Sequence, residues 1–304
     1  MQSRFGKIKT GTAPGGRPPA AVEVAPEGVL AASLPAAGRA PVYAFEPLPA
    51  GALAPGIAEP NLLAFDAVSA AIKKALEEVS PRSRSVSLIL PDSATRVFVL
   101  DFDSLPAKPV EALPVLRFRL RKMVPFDVEQ AGVGYQVLAQ SKTETRVLTA
   151  VMPGPILVEY EGALRATGYE PGAVLPSSLA ALEAIDSLEA VLAASLTAAA
   201  LTTSIANGND LLLYRTLELP EEPALRRSEV QRGIAVAAAY FEDKLGARAR
   251  QLHYSGREDA GEFAGWLDAP DLEVVELARA DVGAATSLGR ASVAGVAGAL
   301  AGVR

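Results

Sequence analysis

Apolar and polar residues alternate from residue 20 onward. Val22 and Val24 flank Glu23, Pro26-Glu27-Gly28 supplies a turn, and an apolar run continues through Leu30 and Leu34. Period-two alternation on either side of a short turn predicts a β-hairpin. A glycine in such a turn can take φ > 0 and expose successive backbone N–H groups, which is how loops cradle phosphate. The same chemistry also makes an ordinary corner.

The pattern then changes. Pro, Gly and Ala dominate residues 35–60, predicting turns and one strand at 42–45. Phe65, Val68, Ile72, Leu76 and Val79 share one face at i, i+3, i+4 spacing, so 62–79 reads as an amphipathic helix. Residues 85–91 follow as a buried strand closed by Pro91. A compact pattern comes next: a strand at 95–102 and a helix at 110–126, with Pro114 in its first turn or kinking it. Paired strands at 133–140 and 146–152 precede a helix at 155–168 stopped by Gly168, then another strand. Strand, helix, two strands, helix, strand is a split βαβ layout, small enough to be an inserted subdomain.

Beyond it, 176–185 opens a helix with Ser177 or Ser178 as N-cap. Strands fill 190–219, broken by Asn207-Gly208-Asn209-Asp210, and a long helix over 228–246 ends at Gly246. Strands at 249–255 and 272–277 and a helix at 289–303 complete the chain. Gly295, Gly298 and Gly302 give that helix a face able to pack closely within the domain. The whole reads as α/β, two halves with an insertion in the first.

Composition narrows the chemistry. The chain has 304 residues and a net charge of −6, which disfavours nucleic acid as a partner. With no cysteine there is no disulfide, thiolate nucleophile or thiolate metal site. The one histidine, His253, lies in the strand-like Q-L-H-Y-S and reads as structural, which removes most metal sites and every His-based triad unless His253 carries it. Residues 1–19 are basic and Gly/Pro-rich without an apolar core, a flexible lead rather than a signal peptide. The charge-free runs 190–206 and 291–303 fall short of the ~20 residues of a membrane helix. Paired carboxylates such as Glu77-Glu78 and Glu221-Glu222 read as exposed helix or loop, and Phe263 with Trp266 as core.

Four strings, in order, carry a resemblance. P-L-P-A-G-A-L-A-P-G-I-A-E-P (47–60) precedes the first long helix, and M-V-P-F-D-V-E-Q-A-G-V-G-Y-Q-V-L (123–138) joins a helix end to a strand. A-L-R-A-T-G-Y-E-P-G-A-V-L-P-S-S-L-A-A-L (163–182) is a helix-strand-helix passage, and L-L-L-Y-R (211–215) follows a turn. In these contexts residues 20–304 resemble the type IV pilus assembly PilM family, with its actin-like, FtsA-related fold. The resemblance implies a first half (1A) at 20–92, completed by 173–189 and 285–304. It places a 1C-like insertion at 93–172 and a second half at 190–284.

Members of that family hold ATP and magnesium on two hairpin turns and a Gly-Gly loop. Laid on the first turn, this chain has Glu23 for Asp, Ala25 for Gly, Pro26-Glu27-Gly28 for serines, and Leu30 for Lys. The second turn becomes 195–201, with Ser195 for Asp and Thr197 for Gly. The adenosine loop keeps Gly256 but has Arg257 for its neighbour. The resemblance therefore implies a degenerate nucleotide cleft with no bound cofactor and no catalysis. It implies a cytoplasmic scaffold of the pilus assembly machinery at the inner-membrane face. Its partner would be the N-terminal tail of a PilN-like single-pass membrane protein, held beside the insertion. Arg117, Arg121, Val124, Pro125 and Phe126 are the expected contacts. The row Arg117, Arg119, Arg121, Lys122, opposite an apolar face of Val115, Leu116, Leu120 and Met123, reads first as solvated. An acidic or membrane-surface contact is its sharper reading. A working actin-like ATPase and a GspL-like secretion domain are the alternatives.

Overall fold

A computed structural model of the chain describes residues 16–35, 40–58, 60–187, 189–208, 210–281 and 290–303. The expected flexible lead up to residue 15 and the first residue of the helix expected at 289–303 lie outside the described residues; of that helix Ala294–Ala301 forms, while Arg290–Ser292 is a short strand instead.

From its first hairpin the chain forms β1 (Ala20–Ala25), β2 (Gly28–Ser33) and β3 (Val42–Pro47), then α1 (Phe65–Val79) and β4 (Ser85–Leu90). Next come β5 (Arg96–Phe102), α2 (Pro109–Leu120), β6 (Gly132–Gln140), β7 (Thr145–Met152), α3 (Gly154–Arg165), β8 (Glu170–Pro176) and the short α4 (Ser177–Ala181). The remainder is β9 (Val191–Leu196), β10 (Ala200–Asn207), β11 (Asp210–Glu218), α5 (Pro223–Leu245), β12 (Gln251–Gly256), α6 (Ala260–Ala264), β13 (Glu273–Glu276), β14 (Arg279–Asp281), β15 (Arg290–Ser292) and α7 (Ala294–Ala301).

Two five-stranded sheets organise the halves: β3-β2-β1-β4-β8 and β11-β10-β9-β12-β13. Each opens on antiparallel strands and closes on parallel ones. The first is covered on both faces, and its strands alternate accordingly. Val22, Val24, Leu88 and Leu90 face α1 and α3, while Ala21, Ala32 and Ile89 face α7. α7 crosses so close to α4 that a Cβ on Gly298 would overlap the Ala180 carbonyl, as the glycine spacing predicted. Arg17 also packs here, paired with buried Glu183 at 2.8 Å, so the lead is anchored by residue 17 rather than free through 19.

The insertion is a split βαβ unit. Its sheet runs β5-β7-β6, so β5, α2 and β6 form the crossover with antiparallel β7 slotted between. α2 covers one face through Ala112, Leu116 and Leu120. On the other face Val97, Val99 and Leu148 meet Leu182, Val191 and Leu211, which ties the insertion to the second half.

Some expectations need correcting. The unit is smaller than the 93–172 that the resemblance implied. α3 buries Ile156, Tyr160, Ala163 and Leu164 in the core of α1, and β8 pairs in parallel with β4, so both belong to the first half. Periodicity identified them as helix and strand but could not name the layer they pack on. The 110–126 helix ends at Leu120, and Val124-Pro125-Phe126 lies in the loop beyond. Arg117 holds that loop, donating to the carbonyls of Val128 and, at 3.0 Å, Ala131. Pro114 sits in the middle of α2, beyond its first turn. The buried stripe is Ala112, Leu116 and Leu120, and Val115 and Met123 are exposed. α5 starts five residues ahead of expectation, because Pro223 occupies its first turn and Glu222 caps it, accepting from the N–H groups of Ala224 (3.0 Å) and Leu225 (2.7 Å). Gly246 ends it with φ +66, as read. Of the described helices, none is long and apolar enough to cross a membrane.

Candidate functional site

Two clefts lie where the sequence pointed. The first separates the halves. Glu23, Ala25, Glu27, Gly28, Leu30, Ser195, Thr197, Gly256 and Arg257 all line one cavity of about 140 Å³. The residues come from three corners. β1 and β2 meet through Pro26-Glu27, β9 and β10 through 197–199, and β12 runs into Arg257.

The corners are not built as expected. Gly28 has no positive φ. It begins β2, where a side chain would overlap the Phe45 ring and the Glu46 carbonyl. Its smallness admits β3, and the turn itself is Pro26-Glu27. At the second corner Thr197 turns inward, its Oγ1 accepting from the Ala200 N–H at 3.0 Å. At the third, Arg279 gathers the carbonyls of Gly256 and Arg257, each at 3.2 Å, together with that of Glu258.

Beneath these corners lie two carboxylates. Glu23 accepts from the Ser177 hydroxyl, and burial with the nearby Asp92 and Glu27 pushes its pKa up to about 7 against the pull of that hydroxyl. Asp92, 2 % exposed, accepts from the hydroxyl and N–H of Ser178 (the latter at 3.1 Å), from Thr202 Oγ1 at 3.2 Å and from Tyr214 at 3.1 Å. Burial raises its pKa too, although all four donors favour the anion. Ser177 and Ser178, expected as N-caps, make no cap bond, since both hydroxyls are spent on carboxylates. Sequence reasoning missed Asp92, Tyr214 and Arg279. Asp92 follows a strand within Pro-Asp-Ser, a string that looks like any turn, and its partners lie 86 to 122 residues away.

The second cleft, about 210 Å³, opens between the insertion and the first half. Gly132, Val133 and Gly134 of β6 form one wall and 171–176 of β8 the other, with Ala150 and Leu157 between. Both β6 and β8 are edge strands of their sheets. Glu161 is the one charged side chain on its walls, and it pairs with Arg165 at 2.9 Å. Arg117, Arg121, Val124, Pro125 and Phe126 do not line it. Arg117 and Arg121 are engaged by their own loop, Arg121 through Glu129 at 2.5 Å, and Val124 is buried under α2. His253, in β12, lies outside both clefts.

No protein-family model matches the sequence, and no curated protein matches it. Solved structures do. A chain of the PilM–PilN type IV pilus biogenesis complex superposes with a TM-score of 0.67 at 19% identity, over 93% of this chain and 96% of that one. A Bacteroides thetaiotaomicron protein of unknown function with an actin-like ATPase fold gives 0.50 at 12% identity, over 81% and 85%. The cytoplasmic domain of EpsL, an inner-membrane component of the Vibrio cholerae type II secretion system, gives 0.49 at 16%, over 78% and 81%. The fold is therefore actin-like, of the PilM type, as the four strings implied.

Proposed function

We propose that this chain is a cytoplasmic, non-enzymatic scaffold of a type IV pilus assembly platform. It holds the N-terminal cytoplasmic tail of a PilN-like membrane protein as an extended segment in the cleft between β6 and β8. The carrying observation is a pair of open sheet edges facing each other across an apolar cleft in a fold shared with PilM. An extended peptide gains main-chain hydrogen bonds from such an edge and seats alternate side chains in the cleft. β8 carries Pro171 and Pro176, which lack N–H groups, whereas β6 carries no proline, so β6 is the better edge for strand addition. Through the tail the protein sits at the cytoplasmic face of the inner membrane.

We infer further that the cleft between the halves is defective for ATP and magnesium. Pro26 has no N–H to give a phosphate. Glu23 and Glu27 bring carboxylates to the lining, and Arg257 is the one cationic side chain there. A carboxylate about 4 Å from a phosphate costs roughly 1–4 kcal/mol, depending on shielding. The volume of about 140 Å³ is also below the ~300–1,000 Å³ of ordinary ligand pockets.

The test is fluorescence anisotropy with a labelled synthetic peptide of the host's PilN-like tail. Saturable binding that a proline at Gly134 abolishes is the expected result. Absence of saturable binding overturns the reading.

A further inference from the structure

α2 carries a second apolar face that nothing among the described residues covers. Its inner stripe, Ala112, Leu116 and Leu120, is buried on the insertion's sheet. On the outside Val110 is 76% and Phe118 68% exposed, with Pro114 between them at i+4, Val115 beside them and exposed Met123 in the turn beyond the helix. Four of the eleven exposed large apolar side chains of the described residues thus fall within fourteen residues. From Val110 to Phe118 they form a ridge about 12 Å long.

The charges around this ridge run against the rest of the molecule. The chain carries −6 overall, yet between Lys108 and Met123 it has five basic residues and a single acid, Glu111. Lys108 pairs with Glu111, Arg121 with Glu129, and Arg117 points inward. Arg119 and Lys122, both exposed, make no ion pair or hydrogen bond among the described residues. None of the described cavities is lined by α2. A convex ridge with loose cations at its rim suits a soft anionic surface better than a shaped protein groove. Apolar side chains enter the headgroup boundary while Arg and Lys meet the phosphates.

We propose that the outer face of α2, together with the turn that follows it, docks on an anionic phospholipid bilayer through Val110, Phe118, Arg119 and Lys122. The proposal takes from the reading above only the nearness of a bilayer. Contact through the insertion would fix how the scaffold sits once a tail is bound, since an acidic body is repelled elsewhere by the same surface.

The experiment is co-sedimentation of the full chain, without any tail peptide, with vesicles of phosphatidylcholine alone or mixed with phosphatidylglycerol. Retention on the mixed vesicles only, and its loss in high salt, is expected. The Arg119→Gln/Lys122→Gln pair lowers the partition coefficient about 25-fold, near fivefold for each cation. Phe118→Ser lowers it roughly tenfold while leaving the salt dependence in place. Both variants alter exposed positions and keep the parent's Tm and its anisotropy curve with the tail peptide, so a misfolded variant is recognised. No retention on anionic vesicles, or retention indifferent to both variants, overturns the proposal and leaves an acidic protein as the occupant of the face. Because no tail enters the assay, lipid binding and tail binding can each fail alone.

Discussion

Asp92 and Tyr214, one from each half of the molecule, are joined by a 3.1 Å hydrogen bond from the phenol to a buried carboxyl. Thr202 reaches the same carboxyl from the second half, and Ser178 from the first. Around them Leu179, Leu182 and Ile185 share a core with Val191, Ala206 and Leu211, so the halves meet through packing with a polar pin in its midst. Tyr214→Phe keeps the ring and removes one donor to that carboxyl. The expected loss is about 1–3 kcal/mol, read as a Tm lower by roughly 2–6 °C for a chain of this size. A Tm within a degree of the parent would mean the pin contributes little.

Glu23 makes stability depend on pH. Its folded pKa of about 7 lies above the ordinary 4.5, so the fold favours the protonated acid. The stability this gives is fully present below about pH 4.5 and is lost as pH rises toward 7. Asp92 shifts in the same direction and deepens the trend. Glu23→Gln, which can still accept from Ser177, is expected to match the parent at pH 4.5. At pH 8 it should be more stable by on the order of 2 kcal/mol, allowing for the part of the carboxyl that still faces the cleft. Urea denaturation at the two pH values measures the difference, and an equal effect at both would sink the assignment.

Gly298 sets two effects of opposite sign against each other. In an exposed helix, Ala in place of Gly stabilises by about 1 kcal/mol. Here the added methyl meets the Ala180 carbonyl, whose carbon would be 2.7 Å away, and the Ala184 nitrogen at 3.2 Å. Overpacking of this kind costs about 1–3 kcal/mol, and because the obstacle is backbone the clash is expected to win. Gly298→Ala should lower Tm, while Gly261→Ala, whose nearest neighbour is a side-chain oxygen at 3.3 Å, should change it little.

The fold was legible where the signal is local. Alternation at Val22 and Val24, the stripe from Val68 to Val79 and the Gly246 stop each produced the element they predicted. All nine residues that the resemblance assigned to the cleft between the halves line one cavity, each on or beside a hairpin or loop on which the family's turns could be laid. What failed was long-range. Nothing near Asp92 reveals that Tyr214 will point at it, and nothing in the amphipathy of α3 says that it packs on α1. The five positions expected to meet a partner were chosen for charge beside an apolar turn. In the fold that charge closes the turn itself, through Arg117 to the carbonyls of Val128 and Ala131.

Nucleotide should leave the protein unmoved. A ligand at about 100 times its Kd stabilises by ~2.7 kcal/mol, which would raise Tm by several degrees. With Pro26, Glu27 and Leu30 at the first corner, ATP with magnesium or ADP is expected to give a flat thermal-shift titration to millimolar concentrations. A clear magnesium-dependent rise would restore the ATPase reading. If the parent's curve is flat, Glu23→Gln tests one source of the exclusion: binding in that variant alone means the Glu23 charge excludes the phosphate, whereas a flat curve in both leaves Pro26, Glu27 and the narrow cavity as the cause.

Ala173 offers the cleanest way to close the other cleft. It sits in β8, half-buried, on the wall facing β6, and its own sheet partner is Ser87 of β4. Ala173→Glu puts a carboxylate among Val133, Ala150 and Leu157, with Arg165 already engaged by Glu161 and Glu170. In the free protein the new side chain extends into water, so stability should change by under about 1 kcal/mol, as for most surface substitutions. With a tail seated, the charge is desolvated without a partner, a penalty of roughly 1–3 kcal/mol or more. Affinity for the PilN-like tail should therefore fall at least about fivefold while Tm holds. If affinity is unchanged, the tail docks elsewhere. If affinity and Tm fall together, the substitution has disturbed the sheet, and Gly134→Pro on the opposite wall becomes the deciding variant.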